Sequence, residues 1–486
     1  MADRTFAQPG ARDGTVLGGV LALLAVGVVL ALAVGGAAGL GQWEASVALA
    51  LAVPMAIVVI NYPWAAVMIW LAAMPFLVVD ASASVSAGVW AAHRLMIAAT
   101  MVIVLTYRML GLSRSRFRLS TVDVFVVGFV VLGVANVLVL SDNPTRMLVA
   151  FFDSLFVPIA LFWLIRLIDP GTAEIRRLVL VIAAVLLVEV VIGTLSWVAP
   201  GVLPGPWLGR AGERTIGTLG GPGPYTVTLV FGALLMLHAG SGSRLTWVRW
   251  AMMLFAAAAF VGVLLSLSRG SWLGAAASIF GLFFVFPRSI LPTLGAGALV
   301  AVVLAVGPFS GQFSVLDERV GDSDTAESRL ITNNAAIRMI ATEPAFGFGY
   351  GNFERFDESF KERVGDIAVK PGSAHHAYLA LAAENGIPAL VLYLLPAAWL
   401  LMRSIQLRRY MPTEQFLNGT LLVVLWLALL NQFIVSNFMD MLHSSTWGVG
   451  LWWICLGLIH ALVSRAATTK RERAHHGAPE LLGAPA

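Results

Sequence analysis

The chain has 486 residues, of which 59% are hydrophobic and only 12% are charged, and its formal net charge is +4. A water-soluble fold of this length could not bury so much apolar surface, whereas a lipid bilayer supplies an apolar solvent. The apolar runs are continuous and about twenty residues long, which favours membrane-spanning helices over the alternating strands of a β-barrel. The single cysteine, Cys455, excludes an intrachain disulfide. The composition therefore predicts an all-α, polytopic integral membrane protein.

Hydropathy along the chain predicts about 14 transmembrane helices, with roughly 12–14 as the range. The predicted spans are 15–40, 44–60, 61–80, 93–112, 122–141, 147–168, 177–199, 217–239, 248–267, 271–287, 290–307, 377–402, 416–437 and 446–464. No small-residue cleavage pattern follows the first span, so we predict that it stays in the protein as a membrane helix. The predicted parts are membrane helices 1–11 in 1–307, an extracytoplasmic loop at 308–376, membrane helices 12–14 in 377–464 and a disordered cytoplasmic tail at 465–486.

The positions of lysine and arginine predict the orientation. With the N-terminus in the cytoplasm, the short outer loops hold few basic residues, and the inverted orientation would reverse this bias. We therefore predict that both termini are cytoplasmic and that the loop 308–376 is outside. That loop carries seven basic and eleven acidic residues, so no nucleic-acid partner is predicted. The basic residues of the short outer loops are Arg94, Arg146, Arg210, Arg214 and Arg269.

Two of these outer arginines need an anionic partner or a special setting. Arg269 lies in a minimal turn between two apolar spans, and the chain has no Asp or Glu from Thr215 through Leu316. Its partner must be a distant segment or an anionic ligand, and the sequence leaves both open. Arg214 precedes the run Gly220-Gly-Pro-Gly-Pro224, which cannot continue a regular helix. Because such a break at membrane depth needs cover from protein or a water-filled cavity, we expect a cavity close to Arg214. The alternative is a kinked helix start with Glu213 or another acid pairing Arg214.

The long loop contains one predicted helix and one glycine-rich stretch. Asp324-Thr325 precedes a helix over 326–341, in which Leu330, Ile337 and Ala341 recur on one face. The stretch 346–353 that follows has glycine at every second position from Gly347 to Gly351. Such a stretch suits a close backbone approach to a ligand or to another segment.

His375 and His376 lie where this loop meets the twelfth predicted span. Adjacent residues point apart on a helix and rarely chelate one ion, and no carboxylate-rich motif completes a site, so we predict no metal. An acid/base role suits an imidazole, which titrates near neutral pH. His93 and His443 also map to the outer side, and either could be a packing histidine.

Several motifs occur in a fixed order. They are Arg214-Thr-Ile-Gly217-Thr, Ser268-Arg269-Gly270-Ser-Trp272, Arg329 at the start of the helix in the loop, Pro344-Ala-Phe-Gly347-Phe-Gly349-Tyr-Gly351-Asn352-Phe353, Ala374-His375-His376-Ala-Tyr378-Leu379 and Glu384-Asn-Gly386-Ile. Together they resemble the O-antigen ligase and O-antigen polymerase superfamily of bacterial membrane glycosyltransferases. The resemblance covers about 210–400. It departs from the family at Pro222-Gly223, where Pro-Asn is usual, and at His375-His376, where His-Asn or His-Ser is usual.

This resemblance implies a membrane glycosyltransferase C-type fold and a metal-independent enzyme without a cofactor. It implies transfer of a glycan from an undecaprenyl-diphosphate donor to an acceptor hydroxyl on the outer face of the inner membrane. In ligases the acceptor is a lipid A-core sugar, and in polymerases it is another lipid-linked repeat unit. Carried over by motif, the essential histidine is His375, which the spacing to Leu379 and Gly386 favours over His376. The residues implied for diphosphate binding are Arg214, Arg269 and Arg329, and the supporting ones are Arg210, His376, Gly349, Gly351 and Asn352.

The chemistry agrees with this reading. Nucleoside triphosphates are absent outside the cytoplasmic membrane, so a transfer there needs a pre-activated donor such as a lipid diphosphate. Fixed arginines can stabilise the charge of the leaving diphosphate, and a histidine can accept the proton of the hydroxyl. Direct displacement would invert the anomeric configuration. Two other classes remain open: a transporter or flippase of lipid-linked sugars, for which Asp153 and Glu189 are candidate intramembrane acids, and a sensor that uses the loop 308–376.

Overall fold

The computed structural model describes residues 56–77, 84–110, 119–209, 214–306, 324–361, 374–414 and 416–476. The predicted span 15–40 and residues 44–55 of the span 44–60 lie outside these residues. The helices of the described part are α1 (Trp64–Leu77), α2 (Ser84–Met109), α3 (Thr121–Leu140), α4 (Pro144–Phe151), α5 (Val157–Ile168), α6 (Thr172–Val198), α7 (Pro222–Ser241), α8 (Thr246–Leu265), α9 (Arg269–Val285), α10 (Pro287–Val306), α11 (Asp324–Thr342), α12 (Phe353–Phe360), α13 (Ala377–Leu407), α14 (Gly419–Ser436), α15 (Met441–Ser444) and α16 (Thr446–His476).

Eight helical segments of the described part are long and apolar enough to cross a membrane, and four shorter apolar helices accompany them. These twelve overlap the twelve predicted spans that lie on described residues. The prediction of an all-α, polytopic membrane protein is confirmed, whereas the total of fourteen spans stays a prediction. One long segment forms from α4 and α5, which a π-helical turn at Phe152–Phe156 joins into a continuous span from Pro144 to Ile168.

Two helices lie in the interior of the bundle. The apolar window of α7 is 94% buried within the protein and that of α16 is 83% buried, so few of their side chains can face lipid. α7 packs against α6, α8 and α14, while α16 packs against α5, α13 and α14. The site described below lies where the start of α7, the start of α13 and the short helix α15 meet.

Charged side chains inside the bundle are held by partners from other helices. Arg94 donates to both carboxylate oxygens of Asp153, and its Nε lies 2.7 Å from Oδ1. Asp123 forms an ion pair with Arg166 and accepts a hydrogen bond from the indole of Trp163 at 3.2 Å. These contacts satisfy the polar groups within the protein, as a low-dielectric surrounding requires. Asp153, one of the two intramembrane acids that a transporter would need, is therefore engaged in a structural ion pair.

The structure differs from two predictions for regular elements. α11 covers the predicted helix 326–341, but the face with Leu330 and Ile337 is exposed, while Ile331, Ala335 and Met339 are buried. The buried face is the one that packs against α12 and α13. In addition, α16 continues as a helix to His476, past residue 464, where the tail is predicted to begin.

Candidate active site

A cavity of about 860 Å³ opens at the end of the bundle where α7 and α13 begin. Its lining residues are Gly205, Pro206, Leu208, Gly209, Arg214, Ile216, Leu219, Gly220, Gly221, Pro222, Pro224, His375, Met439, Asp440 and Ser444. Three of these side chains are ionisable: a guanidinium, an imidazole and a carboxylate. They come from three separate parts of the chain, namely the segment before α7, the segment before α13 and the segment before α15. The predicted cavity close to Arg214 is therefore confirmed.

The wall of the cavity next to Arg214 is an irregular segment that a buried acid holds in place. Gly217 and Gly220 have φ angles of 59° and 71°, which glycine adopts readily and other residues rarely do. Glu189 of α6 accepts the backbone N–H of Thr218 at 3.1 Å and also the Thr218 hydroxyl. The helix break predicted before Pro224 is thus covered by protein on one side and by the cavity on the other. Glu189, the second acid that a transporter would need, serves this turn.

The two adjacent histidines have different positions. His376 is the N-cap residue of α13, and its Nδ1 accepts the backbone N–H of Leu379 at 3.3 Å. His375 is the one whose side chain lines the cavity and is exposed to it. A ring nitrogen that caps a helix is occupied, so His375 is the better situated of the two to exchange a proton with a bound molecule.

The surroundings of His375 favour its neutral form. Partial desolvation by the surrounding protein lowers the pKa of this imidazole, and the positive charges of Arg329 and Arg214 lower it further, whereas Asp440 acts in the opposite direction. A histidine with a pKa below its usual value of about 6.5 is unprotonated at neutral pH and can accept a proton. The same electrostatic influence indicates that Arg329, from α11, lies near the imidazole together with Arg214. Two sequence-predicted residues, Arg214 and His375, therefore line one cavity, and the charge of a third, Arg329, acts on the His375 ring.

A second histidine forms an ion-pair network behind the cavity. His443 of α15 lies between two carboxylates, with Nδ1 at 2.9 Å from Asp440 and Nε2 at 2.8 Å from Glu384. Burial opposes a charge on this ring, but Asp440 and Glu384 outweigh that effect and raise the pKa of His443 well above its usual value. The ring is therefore an imidazolium that is shared by two carboxylates with almost fully buried side chains, and it balances one of their two formal negative charges. It joins the cavity wall at Asp440 to α13 at Glu384.

Sequence reasoning did not assign Asp440 or His443 to the site. It placed His443 on the outer side as a histidine that could serve packing, and Asp440 was not considered. One signal was available, because an Asp followed three residues later by a His can form a local pair in the first turn of a helix, as these two residues do in α15. The contact with Glu384 joins positions far apart in the chain and had no local signal.

The glycine-rich stretch packs against a break in α13. Gly386 has a φ of 82° inside this helix, and the backbone groups that the break leaves without helical partners pair with the stretch. Phe348 N–H donates to the Ala383 carbonyl at 2.9 Å, and Gly349 N–H donates to the Glu384 carbonyl at 2.8 Å. The glycines therefore allow the backbone of this stretch to approach another segment, α13, which is one of the two roles that the sequence suggested for them.

The remaining predicted supporting residues also contact protein. The side chain of Asn352 donates to the carbonyls of Phe348 at 3.0 Å and Leu140 at 3.3 Å. Gly351 has a φ of 78°, and a side chain there would collide with Met147. These contacts fasten the loop to α3 and α4, so the influence of Asn352 and Gly351 on the cavity is indirect.

Arg269 is not among the described residues that line the cavity. Arg269 is exposed as the first residue of α9. The adjacent Ser271 hydroxyl lies 2.7 Å from that of Thr226 in the first turns of α7, so the start of α9 lies beside the cavity wall. Arg210 falls outside the described residues. Within those residues, no group of three or more His, Cys, Asp or Glu side chains could hold a metal ion.

Comparison with known proteins relates one part of the chain to a family. Residues 253–394 match the family model of the O-antigen ligase, and no curated protein matches the chain. The matched range begins within α8, ends within α13 and includes Arg269, Arg329 and His375. The resemblance predicted from the motif order is confirmed over this range. The match supports the O-antigen ligase superfamily for the part of the chain that it covers.

Proposed function

We propose that this protein transfers a glycan from an undecaprenyl-diphosphate donor to an acceptor hydroxyl at the cavity of Arg214 and His375. The observation that carries the proposal is the meeting of a cavity-lining guanidinium and a cavity-lining, neutral imidazole in a chain with an O-antigen ligase domain. These are the two groups that a displacement of a diphosphate by a hydroxyl needs: a cation for the leaving group and a base for the nucleophile.

In the proposed step, the acceptor oxygen attacks the anomeric carbon of the donor glycan. The new carbon–oxygen bond forms as the bond to the diphosphate oxygen breaks, and the electron pair of that bond leaves with undecaprenyl diphosphate. The hydroxyl proton moves to His375, which starts neutral and becomes an imidazolium. Because the attack is direct, the anomeric configuration inverts. Protonated His375 then returns its proton to solvent or to the departing diphosphate before the next turnover.

Arg214 would stabilise the charge that builds up on the diphosphate, with Arg329 close enough to add its field and Arg269 beside the cavity wall. A fixed donor aimed at a developing anion typically contributes about 10²–10³ in rate. Asp440 would help to orient the imidazole, and His443 fixes Asp440 in turn. His443 balances one of the two formal carboxylate charges, so the Glu384–His443–Asp440 network holds this wall in place and leaves one net negative charge behind it.

The distribution of arginines supports an external location for the reaction. Several arginines gather at the end of the bundle opposite to His375, which is the arrangement typical of a cytoplasmic side. The cavity of His375 would then face the periplasm or the cell exterior, at the outer surface of the bacterial inner membrane. A donor that already carries its diphosphate is the form of activated sugar available there.

The transporter and sensor alternatives have weaker support. Asp153 and Glu189 are both bound within the bundle, to Arg94 and to Thr218, and these contacts favour a structural role over transport. A ligase and a polymerase of lipid-linked repeat units would share the proposed site and differ in the acceptor that it admits.

The full-length protein in liposomes can be supplied with an undecaprenyl-diphosphate-linked glycan, with and without lipid A-core. Glycan on lipid A-core alone identifies a ligase, and a ladder of longer lipid-linked chains identifies a polymerase. Failure to form either product from a donor that a known ligase or polymerase consumes in parallel would contradict the proposed function. Movement of intact donor across the bilayer without any new glycosidic bond would instead support transport.

A further inference from the structure

A second cavity lies at the other end of the bundle and is dominated by arginine. Its volume is about 780 Å³. Its lining residues are Arg108, Leu119, Ser120, Thr121, Val122, Arg166, Asp169, Trp399, Leu400, Arg403, His460, Ala461, Val463, Ser464, Arg465, Ala467, Thr468 and Arg471. Five of these side chains are guanidinium groups and one is a carboxylate. The cavity is therefore strongly electropositive.

The helix ends explain why these arginines converge. Arg108 is in the last turn of α2, Arg166 is in the last turn of α5, and Arg403 is near the end of α13. Arg465 and Arg471 belong to the C-terminal half of α16. Along α13, Arg403 is 28 residues from His375, which corresponds to roughly 40 Å at the helical rise per residue. The arginine-lined cavity is thus well separated from the candidate active site.

Part of this positive charge has internal partners. Arg166 pairs with Asp123, and Arg465 donates to Asp169 at 3.1 Å and to the Pro170 carbonyl at 2.7 Å. Arg403 donates to a neutral acceptor, the side-chain amide oxygen of Gln406, at 2.8 Å. The side chain of Arg471 is exposed. Arg403 and Arg471 therefore carry charge to the cavity, and Arg403 can turn toward a bound anion by exchanging a neutral hydrogen bond for a charged one.

The rest of the lining defines the kind of anion. Guanidinium groups match phosphate oxygens in paired, charge-assisted hydrogen bonds. Ser464 and Thr468 add polar surface on the same face of α16, where the Thr468 hydroxyl donates to the Ser464 carbonyl at 3.2 Å. Trp399, Leu400 and Val463 add apolar surface beside the charges. A site with both features suits a phosphate that is attached to a larger, partly apolar body, and basic pockets between membrane helices commonly bind lipid headgroups.

We propose that this cavity binds a phosphate-bearing anion, with the headgroup of an anionic phospholipid as the ligand that the mixed lining favours over free phosphate. The site is independent of the glycan-transfer site, because no residue lines both cavities. The ends of α2, α5 and α13 and the C-terminal half of α16 bring positive charges together. A bound phospholipid would neutralise this charge and would thereby hold these helix ends against one another.

The test compares two double variants of the full-length protein. Arg403→Gln with Arg471→Gln removes two charges from the cavity lining. Arg408→Gln with Arg409→Gln removes the same charge from the neighbouring turn, whose residues do not line the cavity. Binding of phosphatidylglycerol and of phosphatidylcholine is measured for both variants and the wild type by native mass spectrometry in detergent. A melting curve without added lipid shows whether each variant is folded.

We expect phosphatidylglycerol to bind the wild type in preference to phosphatidylcholine. The cavity variant should lose roughly 30-fold in affinity for phosphatidylglycerol, from about fivefold per arginine, and the neighbouring variant should lose much less. Equal losses in the two variants, or no preference for phosphatidylglycerol in the wild type, would overturn the proposal. If the cavity variant is unfolded, Arg471→Gln alone is compared with Arg409→Gln alone on the same readout.

Competition with inorganic phosphate and pyrophosphate distinguishes the source of the phosphate. If millimolar pyrophosphate displaces phosphatidylglycerol from the wild type but not from the cavity variant, a soluble phosphate is the ligand of this site, and the preference for phospholipid is overturned. Lack of displacement would support the phospholipid headgroup.

Discussion

The two ends of the bundle carry cavities of similar size and opposite character. The cavity near His375 holds one guanidinium, one imidazole and one carboxylate, whereas the cavity near Arg403 holds five guanidinium groups. The second also has a histidine, but the ring of His460 packs edge-on against Phe162 and its Nδ1 lies 3.3 Å from the hydroxyl of Ser464. The many guanidinium groups of the cavity near Arg403 suit the binding of an anion. The cavity near His375 has fewer charges, and its accessible imidazole is the kind of base that the proposed reaction needs.

The largest expected effect separates the two adjacent histidines at the candidate active site. His375→Ala removes the proposed base and should lower kcat by about 10²–10⁴-fold. The matched variant His376→Ala removes only a helix cap, which costs about 0.5–2 kcal/mol of stability, and it should keep most of the transfer activity. Initial rates of glycan transfer by the two purified proteins measure the difference. Similar rates for the two variants would contradict the assignment of His375 as the base and of His376 as a helix cap.

The next effect concerns the rigidity of the same cavity wall. His443→Gln leaves the buried carboxylates of Glu384 and Asp440 without their cation, and loss of one member of such a network typically costs about 3–5 kcal/mol. We expect a large fall in the melting temperature, measured by the intrinsic fluorescence of the purified protein. Adding Glu384→Gln to His443→Gln should recover part of the loss, because it removes one of the uncompensated charges.

The sign of the pH dependence of this network follows from the raised pKa of His443. Because the pKa is higher in the folded state than the unfolded value of about 6.5, the contribution of the imidazolium to stability is complete below that pH. It is lost as the pH rises through the folded-state pKa. The wild-type melting temperature should therefore fall at alkaline pH more steeply than that of His443→Gln. Parallel curves would contradict a charged His443.

A smaller effect tests the electrostatic setting of His375. Arg329→Gln removes a positive charge that lowers the pKa of this imidazole, so the pKa should rise toward its usual value. Transfer requires neutral His375, and the acid limb of the kcat/KM profile should move to higher pH. Arg338→Gln on the same helix is the control, because Arg338 donates to the Phe360 carbonyl and does not affect His375. An unshifted limb in Arg329→Gln would contradict the proximity of Arg329 to His375.

The spans and the cavity were predictable from local sequence. Apolar runs of about twenty residues can be read without tertiary knowledge. The run Gly220-Gly-Pro-Gly-Pro224 predicts a helix boundary, and α7 indeed begins within it, at Pro222, because proline is tolerated in the first turn of a helix. His375 could be distinguished from His376 only through a motif resemblance, because a single sequence does not reveal which ring caps the helix.

Other features depended on tertiary contacts. The network of Glu384, His443 and Asp440 joins two segments about sixty residues apart, and nothing in either segment indicates the other. The sequence places Leu330 and Ile337 on one face of α11, but the helix packs through Ala335, Ala336 and Met339, whose side chains permit close approach to α13. Hydrophobicity predicts burial poorly where an apolar surface can also face a membrane.

The most direct test of the central claim is a structure of the protein with undecaprenyl diphosphate bound. We predict that the diphosphate lies in the cavity of Arg214, within hydrogen-bond distance of its guanidinium and near the His375 ring. A diphosphate bound only in the arginine-lined cavity around Arg403 and Arg465, with the cavity of His375 unoccupied, would contradict it.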